Sequence, residues 1–248
     1  MEILKINSLS KTYEGKVSYQ ALKDINLSIE EGEFVAVMGP SGSGKTTLLN
    51  VISTIDKPTT GEIIINSEKP HDLKGQQLSN FRRNELGFVF QNFNLLDTLT
   101  IGENIVLPLT LEGLPVSEMD NRLETIAKKL GIESIVNKRT FEVSGGQTQR
   151  AAIARAIINK PSILLADEPT GNLDSKATDD VMDLFTKINK ENNMTTLMVT
   201  HEPYTASFCN RIIFIKDGKV YKELFKDSNR EEFYKEILEV VSQIGGTR

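Results

Sequence analysis

The sequence predicts an α/β fold: a mixed, mostly parallel sheet with an antiparallel β flank at its N-terminal end and an inserted helical subdomain. Three features predict it. Short alternating apolar and polar runs fill the first part of the chain, continuous apolar runs with helical periodicity beside them occur further on, and a stretch of helix-forming composition interrupts them. The 248 residues contain no internal repeat and no long polar linker, so we expect one continuous folded unit.

The antiparallel flank is predicted by three alternating runs, at 3–9, 22–29 and 61–66. Turn signals such as Glu14-Gly15 and Glu31-Gly32 separate runs of this kind. Alternation is typical of strands that are buried on one face only. These strands should therefore lie at one side of the core rather than at its centre.

The central sheet is predicted by runs at 34–38, 162–166 and 196–200, whose apolar residues are consecutive. Continuous apolar character is typical of parallel strands that are covered by other elements on both faces. Helical periodicity follows each run or precedes the next, as crossover connections between parallel strands require. We expect these three runs to form the middle of the sheet.

The stretch from about 92 to 160 differs from the rest of the chain. It has helix-forming composition at 117–130 and at 147–158, and Ser117 and Ser144 are placed as N-caps of these two helices. We interpret the stretch as a mostly helical insertion in the α/β core.

Two signals mark the C-terminal part. Asp217-Gly218 lies between apolar runs and predicts a two-residue β-hairpin turn. A last helix is predicted at 230–244, with Gly245 as its stop, because apolar residues recur there at helical spacing. These residues are Phe233, Ile237, Val240, Val241 and Ile244. We expect this face to pack on its own domain; binding a partner is the alternative.

Composition excludes several functional classes. The chain has 29 Lys+Arg and 34 Asp+Glu, a formal charge of −5, which lacks the uniform basic field of nucleic-acid-binding proteins. No apolar run approaches the roughly 18 residues that a membrane span needs, and the N-terminus has no secretion signal. The single cysteine, Cys209, cannot form an internal disulfide. We therefore expect a soluble intracellular protein with a reduced, packed cysteine and no nucleic-acid partner.

A phosphate-binding loop follows the run at 34–38. It fits the pattern G-x-x-x-x-G-K-[ST], and Thr47 then opens an apolar helical stretch. Such a loop holds a polyphosphate with backbone N–H groups and with the positive end of the helix. We expect Lys45 to reach the β and γ phosphates and Thr46 to coordinate Mg²⁺. The loop residues are Gly39, Pro40, Ser41, Gly42, Ser43, Gly44, Lys45 and Thr46.

Two carboxylates, Asp167 and Glu168, follow the run at 162–166. The C-terminal end of a parallel strand beside the phosphate loop is where such sites carry a Mg²⁺ ligand, so we assign Asp167 to Mg²⁺, through water. Glu168 would accept a proton from the attacking water or orient it. Alone, the sequence Asp-Glu-Pro would be interpreted as a strand end at the surface; the phosphate loop favours the functional interpretation.

A second anion-binding loop is formed by Ser144, Gly145, Gly146 and Gln147. Its two glycines expose N–H groups at the positive end of a helix, while Ser144 alone would be interpreted as a helix cap. The chain thus has two phosphate-binding loops but only one loop lysine, Lys45.

With these motifs in this order, the sequence resembles the ATP-binding cassette family, specifically the nucleotide-binding subunits of ABC transporters, over residues 1–225. The loop at 39–46 is similar to its Walker A motif, the run at 163–167 to its Walker B motif and the loop at 144–147 to its signature loop. Val143 stands where Leu is more usual.

The resemblance implies an ATPase domain at 1–225, with the helical subdomain at about 92–160 inserted, and a C-terminal helical tail at 226–248. It implies ATP and Mg²⁺ as cofactors. It also implies roles for five residues. Glu168 would be the catalytic glutamate, His201 the switch histidine at the γ-phosphate, and Gln91 the Q-loop glutamine that also contacts the metal. Asp174 would be the D-loop aspartate beside the nucleotide, and Tyr13 the A-loop aromatic stacked on adenine.

The same resemblance implies partners. The signature loop would serve the ATP on another subunit's phosphate loop, so two copies must face head to tail. A transporter would also need a separate membrane permease, which places this subunit at the cytoplasmic face of the membrane. The permease would dock beside the insertion. Five apolar residues of the insertion either form this docking surface or pack the insertion's own core: Phe93, Leu95, Leu96, Leu99 and Ile105.

Within the family, the runs 80–96 and 170–174 resemble the branch of macrolide exporters, lipoprotein-release ATPases and the cell-division ATPase. The runs 95–109 and 211–218 look closest to ATPases of bacitracin- and lantibiotic-resistance transporters. This implies antimicrobial-peptide resistance or export, with a sensor histidine kinase as a further partner. A mechanical switch of the cell-division or lipoprotein-release type, and a soluble ABC protein without a membrane partner, remain alternatives.

Overall fold

The computed structural model describes residues 1–227 and 229–245, which contain two sheets. The smaller sheet is antiparallel and consists of β1 (Glu2–Tyr13), β2 (Tyr19–Glu30) and β4 (Thr60–Ile65). Its strand order is β2-β1-β4, so the three alternating runs form one flank, as predicted.

The larger sheet contains the continuous apolar runs. Its six strands are β3 (Phe34–Met38), β5 (Leu86–Val89), β6 (Ile163–Asp167), β7 (Thr195–Val199), β8 (Arg211–Lys216) and β9 (Lys219–Phe225). Their order is β5-β6-β7-β3-β8-β9, in which only β9 pairs antiparallel. The mixed, mostly parallel sheet is therefore confirmed.

The helices surround this larger sheet. They are α1 (Lys45–Ile52), α2 (Gly75–Glu85), α3 (Ile101–Glu112), α4 (Val116–Leu130), α5 (Gly145–Ile157), α6 (Ser175–Asn192), α7 (Pro203–Ala206) and α8 (Arg230–Gly245). Among the described residues, none of them is both long enough and apolar enough to cross a bilayer.

Successive residues of the central strands face two different cores. In β3, Phe34 and Ala36 pack in the core that α3 to α8 cover, whereas Val35 and Val37 pack in the core between the two sheets, beside α1. The strand is thus buried on both faces, which is why its sequence is continuously apolar.

The helical insertion contains α3, α4 and α5. The predicted cap of α5 is confirmed, because the Ser144 hydroxyl accepts from the Gln147 N–H at 3.4 Å and the Gln147 side chain accepts from the Ser144 N–H at 3.0 Å. This helix begins at Gly145, two residues earlier than predicted. Ser117 as an N-cap is wrong. The N-cap of α4 is Pro115, whose φ of −60° is compatible with a helix entry, so the helix begins before Ser117.

The five apolar residues of the insertion divide between the two interpretations left open. Ile105 is fully buried, and Leu95 packs on the same core. Leu96, in contrast, is 48% exposed. Only part of this set is therefore available as a docking surface.

The predicted hairpin and last helix are confirmed, but Gly245, predicted as the stop, still lies within α8, and 246–248 are outside the described residues. Asp217 and Gly218 have φ of 53° and 79°, as the two-residue hairpin turn requires. The apolar face of α8 is buried in its own domain, with Phe233 and Ile237 fully enclosed. Cys209 is buried and free, and burial raises the pKa of its thiol.

Candidate active site

The phosphate loop connects β3 to α1 in the predicted strand-loop-helix context. A Cβ on Gly39 would lie 2.1 Å from the Ile215 carbonyl oxygen, so only glycine permits this close approach of loop and sheet. Gly44 is the N-cap of α1 and has a φ of 106°. The N-terminus of α1, whose first N–H groups have no partner within the helix, therefore directly follows the loop.

The side chain of Lys45 packs against its own phosphate loop. Its side chain is buried, and its ammonium donates to the carbonyl oxygens of Gly39 and Pro40 at 2.9 and 3.0 Å. Burial lowers the pKa of Lys45, and the nearby charges of Glu168 and Asp167 partly oppose this. A buried ammonium held only by carbonyl groups is well matched to a polyphosphate, which supplies the negative charge that the carbonyls lack.

Ser43 supports the same fit. Its hydroxyl oxygen is buried and has no hydrogen-bond partner among the described residues. A buried polar group without a partner costs free energy, and an unsatisfied one in a native fold calls for a ligand or water. The loop thus has hydrogen-bonding capacity that a phosphate could satisfy.

Glu168 and His201 meet at the C-terminal ends of two adjacent parallel strands, β6 and β7. The Nδ1 atom of His201 lies 2.9 Å from Oε1 of Glu168. Glu168 has a φ of 45°, unusual for a residue with a side chain, and its N–H donates to the Val199 carbonyl oxygen at 2.9 Å. Backbone strain of this kind collects at functional sites, and here it aims the carboxylate at the histidine.

Asp167, at the end of β6, is half-buried. Burial and the neighbouring charge of Glu168 raise the pKa of its carboxyl group, while Lys45 acts in the opposite direction. Two carboxylates side by side repel each other, and a cation bound between a phosphate and Asp167 would relieve this. The arrangement fits a Mg²⁺ ligand.

A cavity of about 540 Å³, the phosphate cavity, lies between the phosphate loop, Glu168 and His201, whereas Ser43 and Asp167 are outside its lining. Its polar lining comes from the predicted residues Gly39, Pro40, Ser41, Gly42, Lys45, Thr46, Glu168 and His201. Its apolar lining comes from Met38 and Phe214, and from Val241, Ile244 and Gly245 of α8. Sequence reasoning left the apolar face of α8 to packing or to a partner and did not place it at this cavity, since helical spacing shows that a side chain is buried but not what it faces.

The signature residues form a separate cavity of about 440 Å³, which Ser144, Gly145, Gly146, Gln147 and Asp174 line. Here Ser144 and Gln147 cap the helix for each other, while the N–H groups of Gly145 and Gly146 are at its open N-terminus. Asp174 caps α6 by accepting from the Ala177 N–H at 2.9 Å. A single chain therefore does not bring these residues to Lys45.

Gln91 also lies outside the lining of the phosphate cavity. Its side chain is close to Gly171, since a Cβ on that glycine would lie 3.0 Å from Gln91 Nε2. Asn172 donates to the Gln91 carbonyl oxygen at 2.9 Å. Gln91 is thus tied to the turn that follows Glu168 rather than to the phosphate loop.

Tyr13 and Tyr19 are directly paired residues of β1 and β2. The Tyr13 hydroxyl donates to Asp56 at 2.9 Å, whereas the Tyr19 hydroxyl donates to the carbonyl oxygen of Gly42, in the phosphate loop, at 3.1 Å. Tyr19 and Thr47 also line a hollow of about 160 Å³ beside this loop. Sequence reasoning missed Tyr19, because its place opposite Tyr13 depends on how β1 and β2 pair across the connection at 14–18.

Comparison with known proteins agrees with this geometry. The family model described as ABC transporter matches residues 22–171. The ABC transporter ATP-binding protein YxdL of Bacillus subtilis is 65% identical, over 98% of this chain and 95% of its own length. The bacitracin export ATP-binding protein BceA of Halalkalibacterium halodurans is 48% identical, over 100% of this chain and 99% of its own.

A solved structure is similar as well: the dimeric post-hydrolysis state of the ATP-binding cassette MJ0796, from Methanocaldococcus jannaschii, bound to ADP and Pi. It has a TM-score of 0.83 and 45% sequence identity, and the match covers 91% of this chain and 99% of that one. The chain therefore belongs to the ABC transporter family, as a subunit that binds and hydrolyses ATP.

Proposed function

We propose that this subunit powers a separate membrane permease by ATP-driven closure of a homodimer, and that the transporter confers resistance to antimicrobial peptides such as bacitracin or exports them. The observation that carries the proposal is the similarity to BceA, a bacitracin export ATP-binding protein, over the whole length of both chains. Similarity of the fold alone would report the energy source and not the substrate.

The two separate cavities support a head-to-tail homodimer. One holds Lys45 and Glu168, while the other offers N–H groups of Gly145 and Gly146 at the start of α5. If a second copy presents its signature cavity to the first copy's phosphates, Ser144 and Gly146 add donors to the γ-phosphate that Lys45 holds. The related cassette MJ0796 has a dimeric structure.

The hydrolytic step is assigned to the pair at the ends of β6 and β7. Glu168 accepts a proton from the attacking water, and His201, 2.9 Å away, orients this carboxylate and contacts the γ-phosphate. Thr46 and Asp167 would hold Mg²⁺, with Gln91 joining the site on closure. The metal ion would neutralise charge on the phosphates. Tyr13 would stack on adenine, and Asp174 would reach the nucleotide from the other copy.

Exposed apolar side chains of the insertion support a permease docking surface. Leu96 is 48% exposed and Phe141 is 78% exposed. Their segments are joined, since Thr140 hydrogen-bonds to Asp97 and Arg139 to the Thr98 carbonyl oxygen. Apolar groups that are clustered and exposed mark interaction surfaces. We assign this one to the permease, which places the subunit at the cytoplasmic face of the membrane, with a sensor histidine kinase as a further partner.

The test is to isolate the protein from gently solubilised native membranes, identify the proteins that accompany it and measure ATPase activity of the complex with and without bacitracin. A permease with a large extracellular domain and peptide-stimulated activity is expected, while the Lys45→Ala complex should be inactive. A partner for cell division or lipoprotein release would overturn the peptide assignment, and the absence of any membrane partner would overturn the transport role.

A further inference from the structure

Helix α8 connects two parts of the nucleotide site. Its last turn supplies Val241, Ile244 and Gly245 to the lining of the phosphate cavity. Its first residues pack on α7, which begins two residues after His201. Both ends of the helix thus contact segments that carry groups of the ATPase site.

The packing at the first end is aromatic and cationic. The guanidinium of Arg230 lies 4.3 Å from the ring centre of Phe208 and 5.4 Å from that of Tyr204. The rings of Tyr204 and Tyr234 are in edge contact, 6.4 Å apart. Cation–π and edge-to-face contacts are attractive, and together they hold α8 on the segment after His201.

The side chains that the other end contributes to the phosphate cavity are apolar. The side chains of Val241 and Ile244 lie with Met38 and Phe214 on the lining of a cavity whose remaining side chains include Lys45 and Glu168. An apolar wall cannot bind phosphate. It can exclude water, and this strengthens every electrostatic interaction within the cavity.

We propose that Val241 and Ile244 are positioning residues for ATP hydrolysis: they form the water-excluding wall of the phosphate cavity, and α8 holds this wall against the segment that follows His201. The proposal rests on the assignment of this cavity to ATP and adds the C-terminal helix to the site. A gap in the wall admits water that competes for Glu168 and His201. It leaves the phosphate contacts of Lys45 and the loop N–H groups unchanged, so turnover falls while nucleotide affinity is kept.

The first test is Val241→Ala in the full-length chain, chosen because Val241 is only half-buried and its truncation leaves the fully buried face of α8 intact. We expect kcat to fall about fivefold while the calorimetric Kd for ADP stays within about twofold. The control is Leu238→Ala on the same helix, where the side chain is 40% exposed and should affect neither. Wild-type kcat in Val241→Ala would overturn the proposal, as would a parallel loss of kcat, affinity and melting temperature.

A charge at the wall gives a second readout that does not depend on cavity size. Val241→Asp sets a carboxylate at the phosphate cavity, whereas Ser242→Asp sets one on the adjacent exposed position. We expect Val241→Asp to weaken ATP binding about tenfold by repulsion and Ser242→Asp to leave it unchanged. Equal effects of the two substitutions on ATP affinity would contradict the assignment of Val241 to the wall of the phosphate cavity.

Two reference proteins separate this proposal from the ATPase assignment on which it rests. Suppose that wild type hydrolyses ATP, that Lys45→Ala does not, and that the Val241 variants match wild type. Then the proposed role of the α8 wall is wrong, and the assignment of the cavity to ATP stands. If wild type itself fails to bind ATP, the assignment of the cavity is wrong.

Discussion

The phosphate cavity and the signature cavity are both built around the N-terminus of a helix, yet the polar side chains beside the two helices differ in their partners. In the first, the Ser43 hydroxyl has no partner among the described residues, Lys45 is buried against carbonyl groups and Glu168 has a strained backbone. In the second, Ser144 and Gln147 satisfy each other, and Asp174 caps its own helix. The first has a buried side chain without a partner, whereas in the second these side chains are paired and only the N–H groups at the start of α5 are open to a ligand.

We therefore expect the two cavities to act at different steps of the ATPase cycle. A site with unsatisfied and strained groups gains free energy when nucleotide binds, so the phosphate loop should bind ATP in a single chain. The signature cavity is separate from Lys45 in the same chain, so its N–H groups should reach the bound phosphates only after two copies meet. Substitutions in the first cavity should therefore affect binding or chemistry directly, and those in the second should affect turnover only.

The largest effect is expected from Glu168→Gln, which keeps the shape of the side chain but removes the base. ATP turnover should fall about a thousandfold, the usual scale for loss of a general base. Nucleotide affinity should persist, so an ATP-bound dimer should accumulate and be visible by size-exclusion chromatography in Mg-ATP. Only monomer at high protein concentration would contradict the homodimer.

Lys45→Ala should abolish binding rather than chemistry. Charge-assisted contacts to phosphate are worth roughly 3 kcal/mol, so ATP affinity measured by calorimetry should drop about a hundredfold. Lys74→Ala, at an exposed lysine just before α2, is the matched control and should bind normally. Undiminished ATP affinity in Lys45→Ala would remove the basis for distinguishing the two cavities.

Ser144→Ala tests the second cavity, with Thr100→Ala as its control. Both residues cap a helix with a capping box, so each substitution should cost about 1 kcal/mol of stability. Only Ser144→Ala should also lower turnover, by about tenfold, because only Ser144 would reach the partner's γ-phosphate. Its ADP affinity should equal that of wild type; equal turnover losses in the two variants would show that capping is its whole role.

Local patterns in the sequence were sufficient for the features that depend on neighbouring residues. The strand at 34–38 is continuously apolar because both its faces are buried, and the loop after it is identifiable because glycines and one lysine at fixed spacing suffice to hold phosphate. The cap at Ser144 follows from the same local chemistry. The predicted N-cap at Ser117 was wrong because Pro115 is the N-cap and the helix begins earlier.

Features that depend on tertiary contact could not be derived in this way. Glu168 and His201 are 33 residues apart in sequence, and only the resemblance to a family suggested that they share a site. Helical spacing predicted that Ile244 is buried, but whether it faces the core or a cavity depends on where α8 packs. Tyr19 gave no signal of its own, because its place beside the phosphate loop depends on its pairing across β1 and β2.

Tyr19 gives the smallest expected effect and sharpens the description of the first cavity. Tyr19→Ala removes a ring beside the loop, whereas Tyr19→Phe removes only the hydrogen bond to Gly42. If the ring contacts the nucleoside, Tyr19→Ala should weaken ADP binding about fivefold, as loss of an aromatic contact to a base does, while Tyr19→Phe stays within about twofold of wild type. Tripolyphosphate, which has no base, separates this role from support of the loop. Its affinity should be the same in all three proteins, and a loss in both variants would mean that Tyr19 acts by holding the Gly42 carbonyl.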